Sequence, residues 1–412
     1  LYTTVSMGGY GEMLLIGNLI LLLTIDISRN NARPVPRKQL LEWFALGFLG
    51  GFGLWVFGLT LVYSLPAILF LAFRKARQGT HYWVLLSAGI GFGALPWLVY
   101  AGQKGLAVVL RELGGGAIAG VESLGFWAQL LQHSLNFSLF GTTAVLGLRP
   151  SWGIQWLGLP LAPLALAFWV LVVVYAVKKT AGDMNAGSLS TNYSYAPLLA
   201  GVVITLLAGF LLSPFGADPS GRYFLPISVI LALFAAQAVW DWQEKWGRWV
   251  GIMVVIVVGF NLWGTVQSTM RTPPGVTTQI DAVTQIDHSF DDDLMHFLLS
   301  EGELSGYTNY WVAYPLAFLS EEQLVFIPRL PYHPDLRYTS RDDRYEPYQE
   351  TVEQAENAAY ITTNNPLLDK QLRAGFNRLE VNWKEQIIGD YHVYYGLSEK
   401  VTPGQIGLGV DR

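Results

Sequence analysis

A 33-residue apolar run, Leu41–Phe73, constrains this chain more than any other feature. An upright helix needs only about 20 residues to cross a bilayer. The run is too long for one such helix. "GFGLWVFGLT" in its middle is glycine-rich and reads as a turn, giving a hairpin of two short helices; one long tilted helix is the alternative. Similar apolar stretches recur at Gly11–Ile27, Tyr82–Tyr100, Pro160–Val177, Ala196–Leu212, Tyr223–Trp240 and Trp249–Val266. With Leu41–Phe57 and Leu59–Phe73 they make about eight candidate transmembrane helices. No ionisable residue is expected deep in a span apart from Asp26, near one end.

Charge is scarce and unevenly placed. Hydrophobic residues make up 52% of the chain and charged ones 14%, against about a quarter charged in ordinary globular proteins. Residues 1–270 hold the apolar stretches. Residues 271–412 have ordinary polarity, with runs such as "TSRDDRYEPYQETVEQAE". The fold class is therefore a polytopic α-helical membrane protein, 1–270, followed by a soluble domain, 271–412. Lys and Arg in the short loops fix the orientation. Eleven lie on one side, including Arg29, Arg33, Arg37, Lys38, Arg74 and Lys178; four lie on the other, Lys104, Arg111, Arg149 and Arg222. This alternation holds only if 41–73 crosses twice. The basic side is expected to be cytoplasmic. The start of the chain, the 101–159 loop, the 213–222 loop and the C-terminal domain are then extracytoplasmic.

The 101–159 loop is too apolar to be solvated and reads as one or two helices in the outer interface. Residues 280–412 read as an α/β domain. "DDDLMHFLLSEG" is a helix with an acidic first turn, "QLVFIPRL" a strand, and "AENAAYITTNNPLLDKQLRAGF" a strand, turn and helix capped by Asn364 or Asn365. "IIGDYHVYYGLSE" is a closing hairpin. The first residues, "LYTTVSMGGYGE", carry no basic n-region and are not a signal peptide. The chain is expected to begin part-way through a longer protein.

Several functions lack their signature. No basic patch is interleaved with aromatics, so nucleic acid is not an expected partner. With no cysteine, disulfides and thiolate metal sites are excluded. The six histidines show no metal-ligand spacing. Asp291, Asp292 and Asp293 suit a helix N-terminus, and Asp342 and Asp343 are expected to be solvated. "NYWVAY" at 309–314 is either domain core or an aromatic platform for a sugar. Two charges stand out at the outer side. Glu12 lies at the mouth of the first span, where it either caps the helix dipole or serves a site. Arg222 opens the span beginning at Tyr223, against the charge bias. It is either a snorkelling arginine paired with Asp218 or a phosphate contact.

"GRYFLPISVILALFAA", "GGYGEMLLIGNLILLLTI", "WVFGLTLVYSLPAILF" and "GIGFGALPWLVY" resemble segments of GT-C superfamily membrane glycosyltransferases. The nearest group is the protein O-mannosyltransferase and aminoarabinose-transferase-like proteins of bacteria. "SGYTNYWVAYPLAFLSEEQLVFIP" is similar to the tail domain of bacterial members. The chain departs from that pattern at Gly58–Leu59, where a His–Pro-like hinge is expected. The resemblance implies an inverting transferase of the bacterial cytoplasmic membrane. It would move a sugar from a polyprenyl-phosphate donor to a lipid, glycan or protein acceptor, in some members with a divalent metal. It places the catalytic acid in a first external loop, expected upstream of Leu1. It makes Arg222 and Tyr223 donor-phosphate contacts, with Tyr10 and Glu12 facing the cleft and Glu12 as a candidate base. The rival class is a non-enzymatic polyprenyl-lipid binding or transport protein, although no internal repeat of the transporter kind is visible.

Overall fold

The computed structural model describes residues 9–29, 37–75, 79–113, 125–151, 153–185, 194–218, 220–270, 282–333 and 336–409. The chain divides into two units, residues 1–151 with 155–268, and residues 269–412 with 152–154. In the first unit lie α1 (Tyr10–Arg29), α2 (Arg37–Val56), α3 (Leu61–Lys75), α4 (Thr80–Gly93), α5 (Leu95–Lys104), α6 (Leu106–Leu113), α7 (Phe126–Leu135), α8 (Thr142–Val145), α9 (Ala162–Asn185), α10 (Ala196–Leu212), α11 (Leu225–Trp246) and α12 (Arg248–Met270).

Among the described residues six helical stretches are long and apolar enough to cross a membrane: α1, α2, α3 with the turn before it (Gly58–Lys75), α9, α11 with the turn before it (Arg222–Trp246) and α12; α4 and α5, bent by 61°, could form a seventh span. Eight were expected. The stretch Tyr82–Tyr100 is not one straight helix, because the chain bends at Ala94 before Leu95–Pro96. The stretch at Ala196–Leu212 gives a helix of 17 residues, rising about 26 Å, a little less than a hydrocarbon core of about 30 Å.

The run Leu41–Phe73 is a hairpin. Its break falls at Phe57, followed by a 3₁₀ turn at Gly58–Thr60. Gly53 packs on Thr60 and Gly50 faces Ser64, so α2 and α3 run antiparallel. The glycines upstream of the break do not turn the chain; they lie inside α2 and let helices touch. A Cβ on Gly47 would sit 2.1 Å from the Leu86 carbonyl oxygen, and one on Gly51 2.1 Å from that of Ile90. Reciprocally, Gly89 meets the Phe44 carbonyl at 2.3 Å and Gly93 that of Phe48 at 2.2 Å. Two small-xxx-small stripes thus bring α2 and α4 together in parallel, backbone against backbone. In lipid such packing replaces the hydrophobic drive that water would supply.

Ionisable groups lie further inside this unit than expected. Glu42, within the first two turns of α2, is only 6% exposed, and Lys75 is 5% exposed. Lys38 bridges Glu42 at 3.2 Å and Asp26 of α1 at 3.4 Å. Partnering through Lys38 makes a buried carboxylate at a helix end tolerable. At its start, α10 meets the basic ends of α1 and α3: Arg29 donates to the Tyr195 hydroxyl at 2.7 Å, and Arg74 to the Ser194 carbonyl at 3.1 Å.

The second unit holds α13 (Asp291–Glu301), β1 (Ser305–Tyr307), α14 (Tyr310–Leu319), β2 (Val325–Ile327), α15 (Glu346–Gln354), β3 (Ala359–Thr363), α16 (Pro366–Arg378), β4 (Lys384–Ile388) and β5 (Tyr391–Tyr395). The sheet order is β2-β1-β3-β5-β4. The pairs β1–β2 and β1–β3 are parallel; β3–β5 and β4–β5 are antiparallel. Alternating strand residues serve two cores. Tyr307, Ile327, Tyr360 and Tyr394 pack with Val352 of α15 and Leu372 and Phe376 of α16. Phe326, Ala359, Ile361 and Val393 pack with Leu294 and Leu298 of α13 and Val312 and Leu316 of α14. The result is a three-layer α/β domain. Asn365, whose side chain accepts from Leu368 N at 3.2 Å, caps α16.

Candidate functional site

The turn between α10 and α11 is built from short-range polar contacts. Ser213 caps a 3₁₀ turn at Pro214–Ala217 by accepting from Phe215 N. The Asp218 carboxylate accepts from Ser220 N at 2.7 Å. Gly221 then takes a left-handed conformation, φ +82°, and a Cβ there would lie 2.8 Å from that of Ala144. This turn delivers Arg222 to the mouth of α11.

A second helix lies across this turn. α7, a π-helical stretch at Asn136–Gly141 and α8 form one continuous helical segment. Its His133 ring nitrogen Nδ1 is 2.9 Å from the Leu211 carbonyl, at the end of α10. Asn136 donates to the carbonyls of Gly216 at 2.9 Å and Ala217 at 3.3 Å. Phe137 packs on Phe224, with ring centroids 5.4 Å apart, and Gly141 lies against the same ring. Successive turns of the segment therefore follow the chain from α10 to α11. The 101–159 loop thus contains helix, as expected. Arg149, 5% exposed, secures its far end by donating to the carbonyls of Phe140 at 2.9 Å and Pro150 at 2.8 Å.

Within this frame the Arg222 guanidinium is 2.5 Å from the Asp218 carboxylate; the side chains are 26% and 13% exposed. The guanidinium lies 5.1 Å from the Tyr223 ring centroid and donates to its hydroxyl at 3.4 Å. Tyr223 also meets Phe215 edge-on at 5.2 Å. The ion pair expected from the i,i+4 spacing is present. A half-buried guanidinium clamped by one carboxylate and one aromatic face keeps a fixed direction. A guanidinium held in this way is of the kind that pairs with phosphate oxygens.

The other two expected site residues lie on α1. Tyr10 is 3% exposed, with its ring 4.7 Å from that of Phe57, so it packs against the hairpin break as core. Glu12 lies in the first turn of α1, where a carboxylate complements the helix dipole. Gly11 beside it has open space around its Cβ position.

In the second unit one expectation is overturned. Asp342 and Asp343 are not solvated: Asp342 is 8% exposed and the Asp343 side chain 2%. The loop after β2 folds them inward. Arg329 pairs with Asp343 at 2.9 Å, and Tyr332 hydrogen-bonds to the Asp342 carboxylate. Burial pushes the Asp342 carboxyl up to about 6, against the pull of Arg344 and Tyr332. The aromatic group at 309–314 is divided between roles. Asn309 caps α14, accepting from Trp311 N at 2.9 Å, and donates to Thr363 at 2.8 Å. Val312 and Ala313 are core. Tyr314 donates to the Asp342 carbonyl at 2.7 Å, and Arg344 lies over the Tyr310 ring. A cavity of about 10 Å³ opens beside Trp311, Asp291, Leu294 and Tyr391. It has room for about one water, not a sugar ring. Asp291 indeed sits in the first turn of α13, and it also accepts from Tyr391.

A charged network missed in the sequence joins α16 to the β4–β5 hairpin. His392 stands between Glu385, at 3.0 Å, and Asp369, at 3.5 Å, while Arg373 pairs with Glu385 at 2.9 Å. The Asp369 hydrogen bond raises His392 against the effect of burial. Arg373, helped by Trp383 and His392, holds Glu385 down at about 2. The β4–β5 register and the packing of α16 on the sheet bring these residues together. Among the described residues no group of three or more His, Asp or Glu side chains could hold a metal ion. Compared with family models, curated proteins and solved structures, the chain matches none of them.

Proposed function

We propose that this protein is a membrane-embedded inverting glycosyltransferase that takes its sugar from a polyprenyl-phosphate donor at the extracytoplasmic face. The observation that carries this reading is Arg222: a half-buried, directionally fixed guanidinium at the mouth of an apolar helix, on the side where the charge bias predicts few cations. A lipid phosphate combines a long apolar chain with an anionic head, and this arrangement offers an apolar helix surface and a guanidinium at the same depth. In the reaction the acceptor hydroxyl oxygen bonds to the anomeric carbon as the carbon–oxygen bond to phosphate breaks. The phosphate leaves with the bonding pair, and a carboxylate takes the hydroxyl proton. Arg222 would offset the charge growing on the departing phosphate. Glu12 is the candidate for the base, and Tyr223 orients the guanidinium.

Full-length protein in native-type membranes, assayed for transfer from a polyprenyl-phosphate sugar, tests this. Arg222→Ala is expected to lower turnover by about tenfold or more, the worth of a charge-assisted hydrogen bond, and Arg222→Lys to recover part of it. Glu12→Gln should lower turnover without weakening donor binding. Wild-type rates in both Arg222→Ala and Glu12→Gln would overturn the assignment. One observation favours a second reading, a lipid-binding or transport protein without chemistry: the carboxylate nearest Arg222 is committed to its ion pair. That reading expects donor binding that depends on Arg222 with no transfer in any variant.

A further inference from the structure

We propose that the outward face of α14, together with the chain ends beside it, docks on the lipid–water interface of the membrane that carries the helical unit. α14 has no charged residue in its sequence, "YWVAYPLAFL". Its inner side, Val312, Ala313, Leu316 and Ala317, is buried in the domain core. Trp311, Pro315 and Phe318 follow at helical spacing on another side, with Leu319 adjoining. Phe318 is 81% exposed and Leu319 48%. α13 and α14 end where β1 and β2 begin, since Leu304 accepts from Val325 N and Ser320 from Leu324 N. There Leu304 is 50% exposed and Leu299 39%. A soluble domain gains nothing from displaying such a group to water.

The composition and the tether favour lipid as the occupant. The exposed members of the group, Phe318, Leu319, Leu304 and Leu299, are apolar side chains of the kind that an interfacial helix sinks to the headgroup boundary. α12 ends at Met270 and the described part of the domain resumes at residue 282. The chain between them reaches at most about 40 Å. If α12 spans the membrane, the domain stays within reach of the lipid surface, and even weak docking is intramolecular. Glu301, Glu321 and Glu322 are exposed at the same end. They should favour zwitterionic lipid over anionic lipid.

The chain has no cysteine, so single cysteines report cleanly. Phe318→Cys and Leu304→Cys in the full chain would carry a polarity-sensitive fluorophore in phosphatidylcholine vesicles. Lys370→Cys on α16 is the control. Lipids bearing a nitroxide high on the acyl chain are expected to quench the 318 and 304 probes about twofold more than the 370 probe, with aqueous iodide showing the reverse order. Equal iodide quenching at all three sites overturns the proposal. So does shielding from iodide without quenching by the nitroxide lipid, which would mean that protein covers the face instead.

Discussion

Asp342 carries the clearest pH signature in the chain. Its carboxyl is held at about 6 by burial, against about 3.9 for an exposed aspartate. The folded state therefore binds its proton more tightly than the unfolded state. Below about pH 4 both states are protonated and no penalty is felt; as pH rises through 6 the buried carboxylate destabilises the fold, and above that the loss is constant. Asp342→Asn keeps an acceptor for Tyr332 and removes the charge. It is expected to stabilise the C-terminal unit at pH 8 by about 3 kcal/mol and to leave it unchanged at pH 4. Thermal unfolding of the full chain at the two pH values measures this. An equal gain at both would assign the effect to packing. The contrast with Arg222 shows what a sequence displays at this scale. The Asp218–Arg222 pair is four residues apart and was legible, because local spacing alone can form it. "RDDR" looks solvated, because only the path of the loop after β2 buries its two aspartates.

Among the elements, the apolar runs displayed the helices, and strand patterns displayed β2, β3 and the closing hairpin. What each glycine does was less visible. In Leu41–Phe73 the break at Phe57–Thr60 falls inside "GFGLWVFGLT", where the two expected spans meet, while Gly47 and Gly51 serve helix contact and bend nothing. A glycine that admits a neighbouring backbone reads the same as one that bends its own. The structure separates the two uses and makes them testable. Gly51→Leu would drive a side chain into the Ile90 carbonyl and force α2 and α4 apart, while Gly91→Leu meets nothing within 4 Å. Gly51→Leu is expected to cost about 1–3 kcal/mol, as overpacking does, or to prevent assembly, with Gly91→Leu near wild type. Thermal stability in detergent distinguishes them, and equal losses would refute the close α2–α4 contact.

For the whole molecule, the number of crossings turns on α10. Counting by length alone sets it aside, but its contacts argue that it crosses. Its first residues meet Arg29 and Arg74, at the basic ends of α1 and α3, whereas its last turn meets His133 beside the Arg222 turn. A helix that joins two opposite ends of the bundle traverses it, and a tilt of its neighbours or local thinning of the bilayer accommodates 17 residues. Counting α10 and the bent pair α4–α5 with the six longer helices predicts eight crossings with the basic loops on one side. Single cysteines at Lys104, Lys178, Lys245 and Lys370, challenged with a membrane-impermeant maleimide in sealed cells, read the arrangement directly. Lys104→Cys and Lys370→Cys are expected to label from outside, and Lys178→Cys and Lys245→Cys only after permeabilisation. Only α10 and α11 separate Lys178 from Lys245. If α10 returned without crossing, those two positions would label from opposite sides, and the C-terminal unit would share its side with Lys178. The Arg222 turn would then face the cytoplasm, and the phosphate proposed for it would have to be sought there.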